Sequence, residues 1–189
     1  LSLHDALPIY IDAVVWFADE VLPSIQHERP ATEFWIVGAK PVEKVWRLSE
    51  RPGISVTGTV PDVRPYLAHA TCVVAPLRIA RGVQNKVLEA MAMAKPTVLT
   101  AAALEGLSAA PGREVIVADS ASGFASGVLS VLAGAMAHLG VAARKRVEMD
   151  YCWSKNLQLL DDIFLHASAS KITPAAIDCR QTGPWGIVK

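Results

Sequence analysis

Lys86 and Glu89 are the residues whose types and spacing are best suited to chemistry in this chain. They follow a loop that leads from an apolar strand into a helix beginning near Val83. The free N–H groups and the positive end of the helix dipole favour an anionic group such as a diphosphate there. A lysine in the first turn opposes the dipole, and a bound phosphate would compensate it. Glu89 lies on the same helix face, where a carboxylate can accept two hydroxyl hydrogen bonds from a ribose.

A simpler interpretation of the two residues stays open on chemistry alone. Side chains three residues apart on a helix also form exposed ion pairs, which contribute about 0.2 to 0.5 kcal/mol. Such a pair would have no function beyond helix stability.

Three loops follow apolar strands and offer backbone that a ligand can approach. They are residues 38–40, 58–61 and 76–84. In an open parallel sheet, ligands bind beyond the carboxyl ends of the strands, and glycine permits close approach to the backbone. Each glycine is equally well explained by ordinary turn chemistry. Arg78 and Lys40 suit either a phosphate contact or a solvated surface position.

The elements that position these loops alternate between strand and helix. Apolar residues spaced by three and four predict a helix over 12–28. Further helices are expected at 42–49, 63–70, 84–94, 122–132, 136–148 and 154–165, the last with Ser154 as its N-cap. Strands are expected at 33–38, 54–58, 71–76, 96–100 and 114–117. The alternation indicates right-handed βαβ units. We therefore expect an α/β protein with a Rossmann-like doubly wound parallel sheet that is covered on both faces.

The sequence pattern divides the chain into three parts. Residues 1–10 carry no initiator Met and resemble translated sequencing-adapter sequence, so we exclude them from the fold. On that interpretation a domain that preceded Ile11 is absent; the alternative is a native loop that enters the first helix. Residues 11–166 carry the α/β pattern. Residues 167–189 are expected to be a loosely ordered tail.

Composition and charge exclude several classes of function. The 189 residues carry no formal net charge, so nucleic acid is not an expected partner. No apolar run reaches the roughly 18 residues that span a bilayer. Three widely spaced cysteines provide neither a disulfide framework nor a zinc site, and no metal-binding motif occurs. We expect a cytoplasmic protein without a metal or a resident cofactor.

The isolated histidines and the tryptophans are expected to be structural. His69 and His138 are interpreted as packed or solvated side chains. The tryptophans expected to pack in the core or at an interface are Trp16, Trp35, Trp46 and Trp153, whereas Trp185 lies in the tail.

The segment around Lys86 resembles a known family. The order Gly82-x-x-x-Lys86-x-x-Glu89-Ala90-Met91-Ala92, preceded by residues 56–63 and 73–76, is similar to the donor-binding domain of retaining glycosyltransferase family 4, which has a GT-B fold. Residues 34–38, 61–67 and 84–89 resemble sugar transferases associated with bacterial exopolysaccharide and exosortase (PEP-CTERM) loci. The resemblance covers about residues 11–164.

The resemblance implies roles for individual residues. Glu89 matches the second glutamate of the family's paired-glutamate motif, which holds the nucleotide ribose. Lys86 and the N–H groups before it would face the diphosphate, and the backbone near Val60 would meet the nucleobase. The first glutamate of the motif is replaced by Arg81, which suits a phosphate or an acidic sugar. The expected donor-binding residues are Gly58, Val60, Arg78, Arg81, Gly82, Val83, Gln84, Asn85, Lys86 and Glu89.

The resemblance also implies a function. We expect residues 11–166 to be the nucleotide-sugar-binding half of a transferase. The intact parent would move a sugar from a nucleoside-diphosphate donor to a saccharide or lipid-linked acceptor in cell-surface or exopolysaccharide synthesis. No residue is assigned as catalytic, because in such enzymes the acceptor site and usually a base belong to an N-terminal domain. This chain should therefore bind a donor without meaningful transfer. Peripheral membrane association of the intact parent is compatible with this function.

Two alternatives come from other functional classes. One is half of a nucleotide-sugar 2-epimerase, which shares the GT-B fold, and the other is a non-catalytic Rossmann-like nucleotide-binding module. A classical NAD domain is disfavoured, since no GxGxxG follows the first strand.

Overall fold

The chain alternates between helices and short parallel strands. The structure, a computed structural model, describes residues 8–152 and Leu157. The helices are α1 (Pro8–Trp16), α2 (Leu22–Glu28), α3 (Glu43–Trp46), α4 (Arg64–His69), α5 (Asn85–Ala92), α6 (Ala101–Leu104), α7 (Ala121–Leu132) and α8 (Ala137–Asp150). The strands are β1 (Phe34–Val37), β2 (Ile54–Gly58), β3 (Val73–Ala75), β4 (Thr97–Leu99) and β5 (Ile116–Val117). The expected parallel α/β architecture is confirmed.

The first long helix begins earlier than expected. A π-helical turn, Phe17–Val21, joins α1 to α2, so helical structure runs without a break from Pro8. Proline suits the first helical position because its missing N–H has no intrahelical partner there. Tyr10 packs against both hydrophobic clusters of the protein. Three residues of the excluded segment 1–10 therefore belong to the fold.

The strands form two parallel groups. β1 pairs with β2, with Phe34 opposite Ile54, and β4 lies between β3 and β5. Among residues 8–152, no strand pairing joins β1 to β3. The single continuous sheet expected from the sequence is thus present as two parallel groups.

Two local elements differ from the sequence prediction. The short helix α6 was not expected; the Thr100 hydroxyl caps it by accepting from the Ala103 N–H at 3.2 Å. The last strand is shorter than expected, because residues 112–114 form a turn in which the Glu114 N–H donates to the Ala110 carbonyl oxygen at 3.0 Å. The expected helix at 154–165 with its cap Ser154, the tail at 167–189, and Trp153 and Trp185 lie outside the described residues.

Among residues 8–152, the core consists of two hydrophobic clusters. The larger one lies between the α1–α2 helix, the first strand pair and α7, and the smaller one lies beneath α5. Trp16 packs edge-on against Phe124, with ring centroids 5.8 Å apart. Trp35 and Trp46 are 47% and 43% exposed, so they do not lie in the core, and packing at an interface stays a prediction. No described helix is long and apolar enough to span a membrane alone. Only α7 and α8 taken together have the length and composition of a span, and they are bent by 98° relative to each other.

Helix α5 is packed closely against α8 at Gly140. A Cβ atom at Gly140 would overlap the carbonyl oxygen of Ala94 and would lie 2.7 Å from its carbonyl carbon. Backbone cannot retreat as a flexible side chain can, so only glycine permits this approach. The contact fixes the end of α5, the helix that carries Lys86 and Glu89.

Substitution Gly140→Ala tests this contact. Alanine favours helix by roughly 1 kcal/mol over glycine, yet we expect a net loss of about 2 kcal/mol in the free energy of unfolding because the backbones must separate. The measurement is urea unfolding followed by circular dichroism. The matched control is Val141→Ala, an exposed position in the same helix, which should change stability by less than about 0.5 kcal/mol. A stabilised Gly140→Ala variant would contradict the packing described.

Candidate functional site

The ammonium group of Lys86 is withdrawn from water at the start of α5. Its Nζ is buried and has no hydrogen-bond partner among the described residues. It lies 3.5 Å from the centroid of the Tyr10 ring, a cation–π contact with the first turn of α1. Burial lowers the pKa of Lys86 to about 8, although the charge of Glu89 acts in the opposite direction. A buried ammonium without an acceptor is unfavourable, so this position favours an anionic ligand.

Glu89 lies one turn further along the same helix, with its side chain exposed. Glu89, Lys86 and Gln84 all line one cavity of about 1280 Å³. Because no hydrogen bond joins the Lys86 ammonium to Glu89, the interpretation of these residues as an exposed ion pair is wrong. The Glu89 carboxylate faces the same space as the buried ammonium and can accept hydrogen bonds from ligand hydroxyls.

The start of α5 provides further donors for an anion. Gln84 is the N-cap, and its side chain makes no capping hydrogen bond. The carbonyl oxygen of Gln84 accepts from Val87 and Leu88, at 2.9 and 3.2 Å. The N–H groups of Asn85 and Lys86 precede these bonds and have no intrahelical acceptor. They therefore add to the positive end of the helix dipole.

The loop before α5 is held by contacts that fix its backbone. The buried side-chain amide of Gln84 donates to the carbonyl oxygens of Arg81 and Gly82, at 3.4 and 3.2 Å. Gly82 has φ +70°, a conformation that favours glycine. Gly106 approaches so closely that a Cβ there would lie 3.3 Å from the Val83 nitrogen. The loop is thus shaped before any ligand binds.

Arg78 is engaged within the protein. Its Nε donates to Asp12 Oδ2 at 3.0 Å, its Nη2 bonds Oδ1, and its guanidinium lies 5.9 Å from the centroid of the Trp16 ring. The hydrogen bonds from Arg78 hold the pKa of Asp12 below its ordinary value. Because both side chains are about half exposed, the ion pair contributes little stability. It ties the loop to α1, and any phosphate contact of Arg78 would compete with Asp12.

The other expected site residues do not line the cavity with Lys86. Arg81, Gly82, Val83 and Asn85 are exposed around the turn into α5. At the end of β2, Gly58 has φ +68°, and a Cβ there would lie 3.4 Å from the Trp46 ring. Val60 follows, partly buried. Of the ten expected residues, the cavity lining brings together Gln84, Lys86 and Glu89.

Sequence reasoning missed three residues that shape the site. Tyr10 lies in the excluded segment, Asp12 is an acidic residue on an otherwise apolar stretch, and Gly106 follows α6. The available signal was Asp12, a single acidic residue on the apolar first helix. Its pairing with Arg78, 66 positions away, cannot be predicted from one sequence.

The remaining candidates have ordinary surroundings. His69 Nδ1 contacts the Pro65 carbonyl oxygen at 2.8 Å, and His138 is exposed, which confirms the interpretation of both as structural or solvated. Lys40 is exposed in a turn with φ +49°. No group of three potential metal ligands occurs in the part of the chain that the structure describes.

The fold and the placement of these residues define a Rossmann-like α/β domain, with polar groups gathered after the carboxyl ends of parallel strands. The family model described as "Glycosyl transferases group 1" matches residues 6–134, more than half of the chain. This chain therefore belongs to that glycosyltransferase family.

Solved structures of GT-B glycosyltransferases share the fold. TarM matches 85% of this chain with a TM-score of 0.71 at 18% identity, over 34% of its own length. A glycosyltransferase from Rickettsia africae ESF-5 matches 83% with a TM-score of 0.64 at 14% identity, over 45% of its length. Sucrose-phosphate synthase from Thermosynechococcus elongatus matches 84% with a TM-score of 0.63 at 17% identity, over 49% of its length. No curated protein sequence matches. The chain spans about a third to a half of these structures.

The isolated charge of Lys86 predicts a stabilising substitution. Lys86→Met keeps an apolar stem beside Tyr10 and removes the buried ammonium, so we expect the free protein to gain about 1 kcal/mol at pH 7, a value discounted for partial exposure. The folded pKa of about 8 lies below the ordinary value of 10.5. Between about pH 8 and pH 10.5 the unfolded chain therefore binds more protons at this lysine than the folded protein does. The wild type should gain stability relative to the variant as the pH rises through this range.

Urea unfolding of both proteins at pH 7 and pH 10, under reducing conditions, measures this difference. The prediction is contradicted if Lys86→Met is less stable than the wild type and the difference in their free energies of unfolding is the same at both pH values. That result would show that the charge is already compensated in the free protein.

Proposed function

We propose that this chain is the donor-binding half of a retaining GT-B glycosyltransferase that uses a nucleoside-diphosphate sugar. The observation that carries the proposal is the buried Lys86 ammonium, which lacks an acceptor at the start of α5. Family membership supports a glycosyl-transfer function for the parent protein. The resemblance of the Lys86–Glu89 segment to family 4 supports retention of configuration.

The diphosphate of the donor would bind at the start of α5. Its oxygens would accept from Lys86 and from the N–H groups of Asn85 and Lys86, which have no intrahelical acceptor. A diphosphate carries the charge that the buried ammonium and the helix dipole both favour. As the glycosidic bond breaks, negative charge grows on the leaving diphosphate, so the same donors stabilise the transition state.

The ribose of the donor would bind at Glu89. This carboxylate lies in the same cavity as Lys86 and three residues further along one helix face. It can accept hydrogen bonds from both ribose hydroxyls. In this arrangement the nucleobase lies towards the loop at Gly58 and Val60, and Arg81 lies towards the sugar, where a guanidinium suits an acidic sugar or a phosphate.

The acceptor and the remaining catalytic groups would come from a second domain of a longer protein. The chain spans less than half of each structural neighbour, so by itself it would bind the donor without transferring the sugar. The resemblance to exopolysaccharide-associated transferases favours a saccharide or lipid-linked acceptor, a cytoplasmic site of action and peripheral contact of the parent with the membrane.

Calorimetric titration with the nucleoside diphosphates of uracil, guanine, adenine and thymine tests the donor site. We expect one of them to bind, and its monophosphate to bind at least about tenfold more weakly because it lacks the second phosphate. Glu89→Ala should weaken binding of the ribonucleotide about tenfold, the cost of losing hydrogen bonds to a charged acceptor.

Two controls make the ribose assignment specific. Glu148→Ala removes an exposed carboxylate on α8 that is paired with Arg144, and it should leave binding unchanged. The 2′-deoxy nucleotide should bind more weakly to the wild type and lose little more with Glu89→Ala, because one interaction cannot be lost twice. Absence of binding to every diphosphate would refute the donor site. An equal effect of Glu89→Ala on both nucleotides would refute the ribose contact alone.

A further inference from the structure

Residues 105–114, the supporting loop, lie against the backbone that leads into α5. A Cβ atom at Gly106 would lie 3.2 Å from the Gly82 carbonyl carbon and 3.3 Å from the Val83 nitrogen. Gly106 has φ +82°, a conformation that favours glycine. The backbone of the supporting loop therefore rests directly on the peptide unit that joins Gly82 to Val83.

This peptide unit is connected to the start of α5 through Gln84. The Gln84 side-chain amide donates to the Gly82 carbonyl oxygen at 3.2 Å, and Gln84 is the N-cap of α5. Because a peptide unit is planar, it turns as one rigid body. A displacement of Gly106 therefore changes the direction of the N–H groups at the start of α5, to which the proposed function assigns the diphosphate.

The buried carboxylate of Glu114 fixes the shape of the supporting loop. Its side chain is 3% exposed. Oε2 accepts from the Ala110 N–H at 2.7 Å, and the Glu114 N–H donates to the Ala110 carbonyl oxygen at 3.0 Å. Burial raises the pKa of Glu114, but the bonds from Ala110 and Arg146 outweigh that effect and hold the pKa below its ordinary value. The carboxylate is therefore charged at neutral pH, and a buried charge requires a partner.

Helix α8 provides that partner and a second attachment. Arg146 Nη2 and Nε lie 3.1 and 3.2 Å from Glu114 Oε1, and Arg146 Nη1 lies 3.2 Å from Asp150 Oδ2. Just after the helix, the Tyr151 hydroxyl accepts from the Ser108 N–H at 2.9 Å. The end of α8 thus holds the supporting loop at two points.

Stability alone is a weak explanation for the ion pair. Apolar residues of similar volume often replace a buried ion pair at no cost in stability. What an ion pair with two guanidinium contacts adds is a fixed direction. None of the residues that hold the supporting loop lines the cavity beside Lys86 in the described chain, so any effect on a ligand there is transmitted through Gly106.

We propose that Glu114, Arg146 and Tyr151 are positioning residues of the donor site. They hold Gly106 against the Gly82–Val83 peptide unit and so set the direction of the N–H groups that meet the diphosphate. Their ligand is the diphosphate of the proposed donor, so this role rests on the proposed function. Donors that are fixed before the ligand arrives need no reorganisation when it binds.

The substitution Glu114→Gln tests this role, because it keeps the size of the side chain and removes its charge and one acceptor oxygen. The probe is the nucleoside diphosphate, among those of uracil, guanine, adenine and thymine, that the wild type binds most tightly in calorimetric titration. We expect its dissociation constant to rise about tenfold. The matched control is Glu148→Gln, the same change at an exposed carboxylate of α8 that is paired with Arg144, and it should leave affinity unchanged.

The affinity of the folded protein separates positioning from a role in stability alone. Circular dichroism shows that each variant is folded under the conditions of titration. A residue that only stabilises the fold lowers the free energy of unfolding and leaves the affinity of the folded protein as it is.

Two double mutants show which contact transmits the effect. Gly106→Ala should also weaken binding, since its Cβ would press on the Gly82–Val83 peptide unit. Glu114→Gln should add little to Gly106→Ala, because both act at one contact. The effects of Glu114→Gln and Glu89→Ala should multiply, because the diphosphate and the ribose are held separately.

The milder substitution Tyr151→Phe removes one hydroxyl and keeps the ring. We expect about threefold weaker binding of the same diphosphate. In the free protein the amide NMR signals of Val83 and Gln84 should shift, and Glu148→Gln should leave them in place. Should Glu114→Gln not fold, Tyr151→Phe decides the question.

Unchanged affinity in the folded Glu114→Gln variant, or in Tyr151→Phe when Glu114→Gln does not fold, would overturn the positioning role and leave the donor site intact. Fully additive effects of Glu114→Gln and Gly106→Ala would overturn it as well. If the wild type binds none of the four diphosphates, the proposed function itself is refuted, and the positioning role with it.

Discussion

The site depends on a positive charge that the protein holds without compensation. The Lys86 ammonium is buried at the positive end of α5, faces the Tyr10 ring and meets no hydrogen-bond acceptor in the described chain. Burial and the helix dipole both disfavour this charge. A fold keeps such a group at a cost in stability, and that cost is typical of functional sites. The unsatisfied ammonium is what separates this helix from an ordinary core helix.

The rest of the domain keeps that charge in place. Gly140 brings α8 against the end of α5, and Gln84 and Gly106 shape the loop at its start. The Asp12–Arg78 pair and Tyr10 attach the first helix to the same loop. These contacts come from distant parts of the sequence, so the site is preorganised by tertiary packing. A preorganised cation loses little energy to reorganisation when an anion arrives.

The sequence predicted the architecture well, because strand and helix periodicities are local. The helix at 84–94, the loop before it and the placement of Lys86 and Glu89 on one helix face all follow from residue spacing. The break between β1 and β3 could not be predicted, since pairing between strands that are distant in the sequence depends on tertiary contacts. The exclusion of residues 1–10 removed Tyr10 from consideration, although it covers the lysine. Trp35 and Trp46 were expected in the core or at an interface on residue type alone, and type does not reveal which face of an element meets solvent.

The most direct measurement is the ionisation of Lys86 itself. Its side-chain amine can be followed by NMR in a protein labelled at lysine, with Lys86→Met to assign the signal, over a pH titration with and without a nucleoside diphosphate. The account predicts a pKa of about 8 in the free protein, which rises above the free value when the diphosphate binds and neutralises the charge. An ordinary lysine pKa in the free protein, or one that the ligand leaves unchanged, would contradict the account.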